Sequence, residues 1–79
     1  MDLKEIYNII SDNVKYYRFN NLSGHLTQEE LSRKSKVSIS LIRNIEKKDK
    51  NMVINLIALN NIANALEIPL YKFFLRNKS

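Results

Sequence analysis

The sequence predicts an all-α domain of five helices, and three observations lead to it. Glycine and proline occur once each in 79 residues, too few breakers for a protein built from strands and tight turns. Apolar residues recur at steps of three and four along most of the chain, the spacing that gathers side chains onto one face of a helix. Asp2, Thr27, Ser38 and Asn55, all of them good N-capping residues, stand directly before such runs.

The first helix draws its stripe from Leu3, Ile6, Tyr7, Ile10, Val14 and Tyr17. Asp2 caps it, and it fades around Phe19. Residues 20–25 read as a loop. Thr27-Gln28-Glu29-Glu30 has the form of a capping box, in which the Thr27 hydroxyl accepts from the Glu30 amide while the Glu30 carboxylate reaches back. The helix it opens ends near Ser35. Lys36 and Val37 follow, and Ser38 then caps a third helix carrying Ile39, Leu41, Ile42 and Ile45, which ends in the polar run 46–51. Two short helices joined by a tight turn have the helix-turn-helix format. Asn55 caps a fourth helix with Leu56, Leu59, Ile62, Ala63 and Leu66 as its core stripe, while Ile57 lies about 200° around the helix from Leu59 and leaves that stripe. Pro69 suits the first turn of a fifth helix holding Leu70, Phe73, Phe74 and Leu75. Residues 1–79 read as a single domain.

Composition excludes several classes. Cysteine is absent and His25 is the single histidine, so neither a disulfide framework nor a metal site is expected, and no cofactor is implied. A chain of this size then depends on helix packing or on a partner subunit. The lack of cysteine fits a reducing cytoplasm, the expected location. The N-terminus is acidic before it is apolar, the reverse of a secretory leader. The longest uncharged stretch, residues 51–66, holds five asparagines and is too short and polar to span a bilayer. An enzyme is not expected: there is no His–carboxylate pair at useful spacing and no phosphate-cradling glycine loop.

Net charge is +5, and its distribution says more than its total. Residues 1–13 carry a net −2, whereas residues 14–50 hold nine Lys and Arg against four Asp and Glu. Such a concentrated positive field suits a polyanion; a solvated basic surface is the plainer alternative.

A helix fits the major groove of DNA, where its N-terminal residues reach base edges. The preceding helix must cross it closely, with apolar anchors on both. Leu31 and Ser35 face inward on the first of the two short helices, small Ser32 sits near the crossing, and Ile42 and Ile45 anchor the second from beneath. Ser38, Ile39, Ser40, Arg43 and Asn44 are left facing outward.

At these positions the chain resembles a family. LTQEELSRKSKVSISLIRNIEKKDKN is similar to the helix-turn-helix of the Cro/CI-type (XRE) regulators, and NLIALNNIANALEIPLYKFF resembles their fourth and fifth helices. The resemblance rests on Gln28, Glu30, Leu31, Val37, Ser38, Ile42, Ile45, Glu46, Leu59, Ala63, Leu66 and Phe73 in register. It implies the five-helix lambda repressor-like fold, with the helix-turn-helix at helices two and three. Within the family the nearest likeness is to the small controller proteins of restriction–modification systems, although phage repressors and Xre-type antitoxins share much of the pattern. There are departures: Ser32 replaces the usual alanine, Lys36 and Lys48 replace glycines, and the loop before Thr27 is longer. A lysine kept in the left-handed turn at Lys36 costs about 1–2 kcal/mol.

The resemblance implies a phosphate contact for Gln28, at a helix N-terminus; an ordinary polar helix start is the alternative. Ser38 and Ser40 can meet base-edge donors or acceptors, with Ser38 also serving as a cap. Ile39 packs either on a thymine methyl or in the core. Arg43 suits guanine and Asn44 adenine, and either can instead reach phosphate. Lys47, Lys48 and Lys50 suit phosphates, unless they are merely solvated. Arg18 and Glu46 match a partly buried structural ion pair of the family. Ile57, Leu70, Phe74 and Leu75 are expected to form an apolar patch that makes a homodimer. The expected activity is thus a sequence-specific regulator binding an inverted-repeat operator in double-stranded DNA, controlling its own gene or a restriction–modification operon. The alternative is an antitoxin or interaction module whose apolar patch binds a partner protein.

Overall fold

The computed structural model describes residues 2–21, 24–49 and 53–76. They form α1 (Leu3–Phe19), α2 (Gln28–Ser35), α3 (Ile39–Glu46), α4 (Leu56–Ala65) and a short 3-10 helix, η1 (Leu70–Phe74). An isolated antiparallel bridge between Asn21 and Gly24 is the only β pairing among the described residues. The fold class is all-α.

All four α-helices begin on the side chains that announce them. The Asp2 carboxylate accepts from the Glu5 amide at 2.9 Å, Ser38 Oγ from the Leu41 amide at 3.2 Å, and Asn55 Oδ1 from the Ala58 amide at 2.7 Å. At α2 both halves of the capping box are formed: Glu30 N–H donates to Thr27 Oγ1 at 3.0 Å and Thr27 N–H to Glu30 Oε1 at 2.9 Å. Each cap satisfies an amide that the helix itself leaves without a partner.

The core lies where the five elements meet. Val14, Leu31, Ile42, Ile45, Ile62, Ala63 and Phe73 are fully buried there, joined by Ile10, Leu59 and Leu66. Tyr7 and Tyr17 pack on its edge as half-buried side chains. Burying a large aliphatic or aromatic side chain contributes about 1.5–3 kcal/mol, and Phe73 lets η1 close the core against α1.

Three expectations need correction. Leu3 and Leu56 belong to their apolar stripes but are 61% and 63% exposed, because each occupies the first turn of its helix, beyond the end of the core. Conversely, α1 buries Ile9, Ser11 and Asn13 from outside the stripe, along with Arg18 of the expected ion pair, while of the stripe only Ile10 and Val14 are buried. This helix is flanked on two sides, by η1 and by α3, so polar residues off the stripe are enclosed too. Finally, the fifth element is a 3-10 helix with Pro69 as its N-cap, outside the helix rather than in its first turn. Asn13 Nδ2 donates to the carbonyls of Phe73 at 2.8 Å and Leu75 at 2.6 Å. These side-chain bonds replace the backbone bonds that a longer α-helix would supply, which suits so short an element.

The turn between α2 and α3 is clamped by hydroxyls. Lys36 adopts φ 60°, ψ 27°, a left-handed conformation that disfavours a residue with a Cβ. Ser32 Oγ donates to the Val37 carbonyl at 2.7 Å, and the Val37 amide donates to Ser35 Oγ at 3.2 Å. Ser32, standing where an alanine is usual in the resembled family, thus adds a bond that offsets part of the lysine's strain. Among the described residues no helix is long and apolar enough to cross a membrane.

Candidate nucleic-acid interface

α3 is two-faced. Ile42 and Ile45 are fully buried on its inner side, while Ser40, Arg43 and Lys47 stand exposed on the outer side at steps of three and four. Ser38 is exposed at its start. Its oxygen is taken by the Leu41 amide, but its O–H remains able to donate. Asn44 is half-buried beside this stripe. Ile39 is half-buried too and is not among the side chains packed on the core.

The helix is held against the rest of the molecule by one buried ion pair. Arg18 Nε donates to Glu46 Oε2 and Nη2 to Glu46 Oε1, each at 2.7 Å, with the two side chains only 7% and 5% exposed. Arg18 Nη1 donates to the Leu26 carbonyl at 2.8 Å, and Gln28 Nε2 donates to Glu46 Oε1 at 3.2 Å. The planar guanidinium, with a fork that matches the carboxylate, therefore joins α1 to the following loop and to α3, while Glu46 adds α2 through Gln28. The guanidinium carbon also lies 4.5 Å from the centre of the Phe19 ring.

An open groove of about 760 Å³ runs beside this hub. Lys15, Phe19, His25, Thr27, Gln28, Glu29, Arg43 and Lys47 line it, with the Arg18–Glu46 pair at its base. Gln28, Arg43 and Lys47 are thereby gathered in one place. Arg43 and Glu29 form a loose exposed pair at 4.0 Å, which in high dielectric holds neither side chain firmly.

Two of the lysines behave differently. Lys48 Nζ is 2.9 Å from Asp12 Oδ1 of α1, so it lies with an acid rather than with Arg43 and Lys47. Its backbone is left-handed, at φ 57°, as is Lys36's at φ 60°. Lys50 lies outside the described residues. Among the apolar patch residues, Ile57, Phe74 and Leu75 are exposed, whereas Leu70 is half-buried and packs on the core. Val53 and Leu56 are exposed as well, and Leu56 lines a cavity together with Phe74.

The sequence reading missed Lys15, Phe19 and His25 as groove residues. Lys15 and Phe19 stand four apart on α1 and so share a face, and His25 comes two residues before the Thr27 cap; those spacings were the available signal. Among the described residues no cluster of His, Cys, Asp or Glu is suited to a metal ion. The Glu30 carboxyl is held below its ordinary value, first by the Thr27 backbone amide and then by the Thr27 hydroxyl. No family model, curated protein or solved structure matches this chain.

Proposed function

We propose that this chain is a sequence-specific regulator that binds double-stranded DNA through α2, the turn 36–38 and α3 as a Cro/CI-type helix-turn-helix. The observation that carries the reading is the two-faced α3. Its inner side is buried and pinned by Arg18–Glu46, and its outer side offers Ser38, Ile39, Ser40, Arg43 and Asn44 with no acid among them. In this reading α3 enters the major groove. Arg43 and Asn44 meet base edges or phosphates, Ile39 meets a thymine methyl, and Lys47 meets phosphate. Gln28 approaches the backbone at the start of α2, with its amide nitrogen engaged by Glu46.

The protein acts in this proposal as a homodimer. Half-sites read from one face of DNA lie about 34 Å apart, so the dimer has to set its two reading helices at that separation, a distance on the scale of one protomer, which is 33 Å in its longest dimension. The exposed Ile57, Phe74 and Leu75 favour such an association, and they favour equally the second reading, an antitoxin-like module that docks a partner protein.

The test is selection of bound fragments from genomic DNA with purified protein at two salt concentrations. Enrichment of one inverted repeat that survives higher salt supports the regulator. Weak binding to every fragment, vanishing with salt, reports phosphate attraction alone and refutes sequence-specific regulation.

A further inference from the structure

α4 carries an isoleucine beside a hole that it does not fill. The hole is an apolar groove of about 170 Å³ between α1, α4 and η1. Buried Ile10 and Leu59 form its floor, and Ile6, Tyr7, Leu56 and Phe74 its more open rim. It is smaller than the roughly 300–1,000 Å³ of pockets that enclose small molecules, and its lining is aliphatic and aromatic, so it suits one apolar side chain of another protein surface. Ile57 follows Leu56 at that rim. One residue turns an α-helix by about 100°, and Ile57 stands exposed outside the groove of its own chain.

Charge beside the groove identifies the occupant. Glu5 precedes Ile6 on α1, and Arg76 follows η1 two residues after Phe74. The two meet at 3.3 Å as an exposed pair, too open to hold either side chain firmly. One face of the molecule thus carries a knob, a hole, an acid and a base. Such a face is complementary to itself across a twofold axis, where every feature of one copy meets its counterpart on the other. A different protein has to supply all four.

We propose that in the homodimer Ile57 of each protomer fills the groove of the other, and that Arg76 of each reaches Glu5 of the other across the same axis. This rests on the homodimer part of the reading above. It adds α1 to the interface, through Ile6 and Tyr7, and it gives Ile57 a defined seat rather than a place in a flat apolar patch.

The experiment uses introduced thiols, which are the only ones present because the chain has no cysteine. Tyr7→Cys, Phe74→Cys and Ile57→Cys are made singly, and melting curves establish which are folded; the two groove variants serve as alternatives to each other. Each groove variant is mixed with Ile57→Cys and oxidised with glutathione disulfide. A disulfide requires Cα atoms within about 7 Å, so the expected major product joins position 57 of one chain to position 7 or 74 of the other. In parallel, Glu5→Arg and Arg76→Glu are each expected to weaken the dimer roughly 5–10-fold in sedimentation. An equimolar mixture of those two is expected to recover native affinity, because each charge then meets its opposite on the other chain. Disulfides joining position 57 only to position 57, or none although native protein is dimeric, overturn the inference and leave the homodimer standing. A mixture of the charge variants no tighter than either alone overturns it as well. Native protein that sediments as a monomer at every concentration overturns both the homodimer and the inference, and gives the groove to a different protein. Mixed disulfides in a protein that selects no DNA sequence support the inference and refute the regulator.

Discussion

Replacing Glu46 by glutamine tests how α3 is held. The Glu46 carboxylate takes both Nε and Nη2 of Arg18 at 2.7 Å, with both side chains more than nine-tenths enclosed. Glutamine keeps the shape and one acceptor, but it removes the charge that compensates a buried guanidinium. Breaking one partner of such a pair costs about 3–5 kcal/mol. The lower end applies here, because the Leu26 carbonyl still accepts from Nη1 and the Phe19 ring still faces the cation. For a domain of this size each kcal/mol shifts Tm by about 4–8 °C, so a cost of about 3 kcal/mol lowers Tm by roughly 12–24 °C. Thermal and urea unfolding followed by circular dichroism measures it. The double replacement Arg18→Met with Glu46→Leu recovers much of the loss, since the pair's net worth over apolar groups is small. A Glu46→Gln protein that melts at the native temperature refutes the claim that this pair anchors α3.

Four further outcomes are expected. Lys36→Gly relieves a left-handed lysine and raises stability by about 1 kcal/mol; an unchanged or lower urea midpoint counts against the strain. Ser11 Oγ is the buried side-chain polar atom without a hydrogen-bond partner among the described residues, so Ser11→Ala gains about 1 kcal/mol by removing a desolvated hydroxyl, and a loss of stability shows that the hydroxyl has a partner after all. The Thr27 backbone amide, and then its hydroxyl, hold the folded-state pKa of Glu30 below its ordinary value; its contribution is present above the ordinary value and lost as pH falls through the lower folded one. Glu30→Gln is therefore expected to reduce the acid dependence of stability below about pH 5, and an identical acid transition removes the capping box from the account. Ile57→Glu, at a residue 77% exposed, is expected to leave monomer melting unchanged while raising the dimer dissociation constant in sedimentation; an unaffected dimer moves the interface elsewhere.

The parts of the fold legible in the sequence are those with local causes. Each α-helix begins one residue after its capping side chain, and the steps of three and four picked out Ile10, Val14, Leu59 and Ile62 as core. What could not be read was set by partners distant in the chain. Asn13 looks like one more polar residue of α1 until Phe73 and Leu75 supply carbonyls sixty positions away. The apolar run after Pro69 has the composition of an α-helix, yet those same carbonyls are taken by Asn13 and the element closes as a 3-10 turn. Lys48 reads as a phosphate contact, and only folding sets it against Asp12. His25 lacked any periodic neighbour, because its companions come from α1, α2 and α3 at once.

If the chain binds DNA as proposed, the Arg18–Glu46 pair also bears on recognition, through Gln28. The oxygen Oε1 of Glu46 that receives Arg18 Nη2 also receives the Gln28 amide. The carboxylate that fixes α3 therefore also orients the first residue of α2. On the proposed DNA-binding reading, loss of Glu46 should disturb both the inclination of α3 and the approach of α2 to the DNA backbone, so reduced DNA binding in Glu46→Gln does not by itself identify a contact. Gln28→Ala separates the two. It leaves Arg18–Glu46 intact, with its two short bonds, and removes only the side chain at the start of α2. If that variant keeps its melting temperature but loses affinity equally for all duplex sequences, Gln28 acts on phosphate and Glu46 acts through it. If affinity is unchanged, the bond from Gln28 to Glu46 serves the packing of α2 on α3 alone.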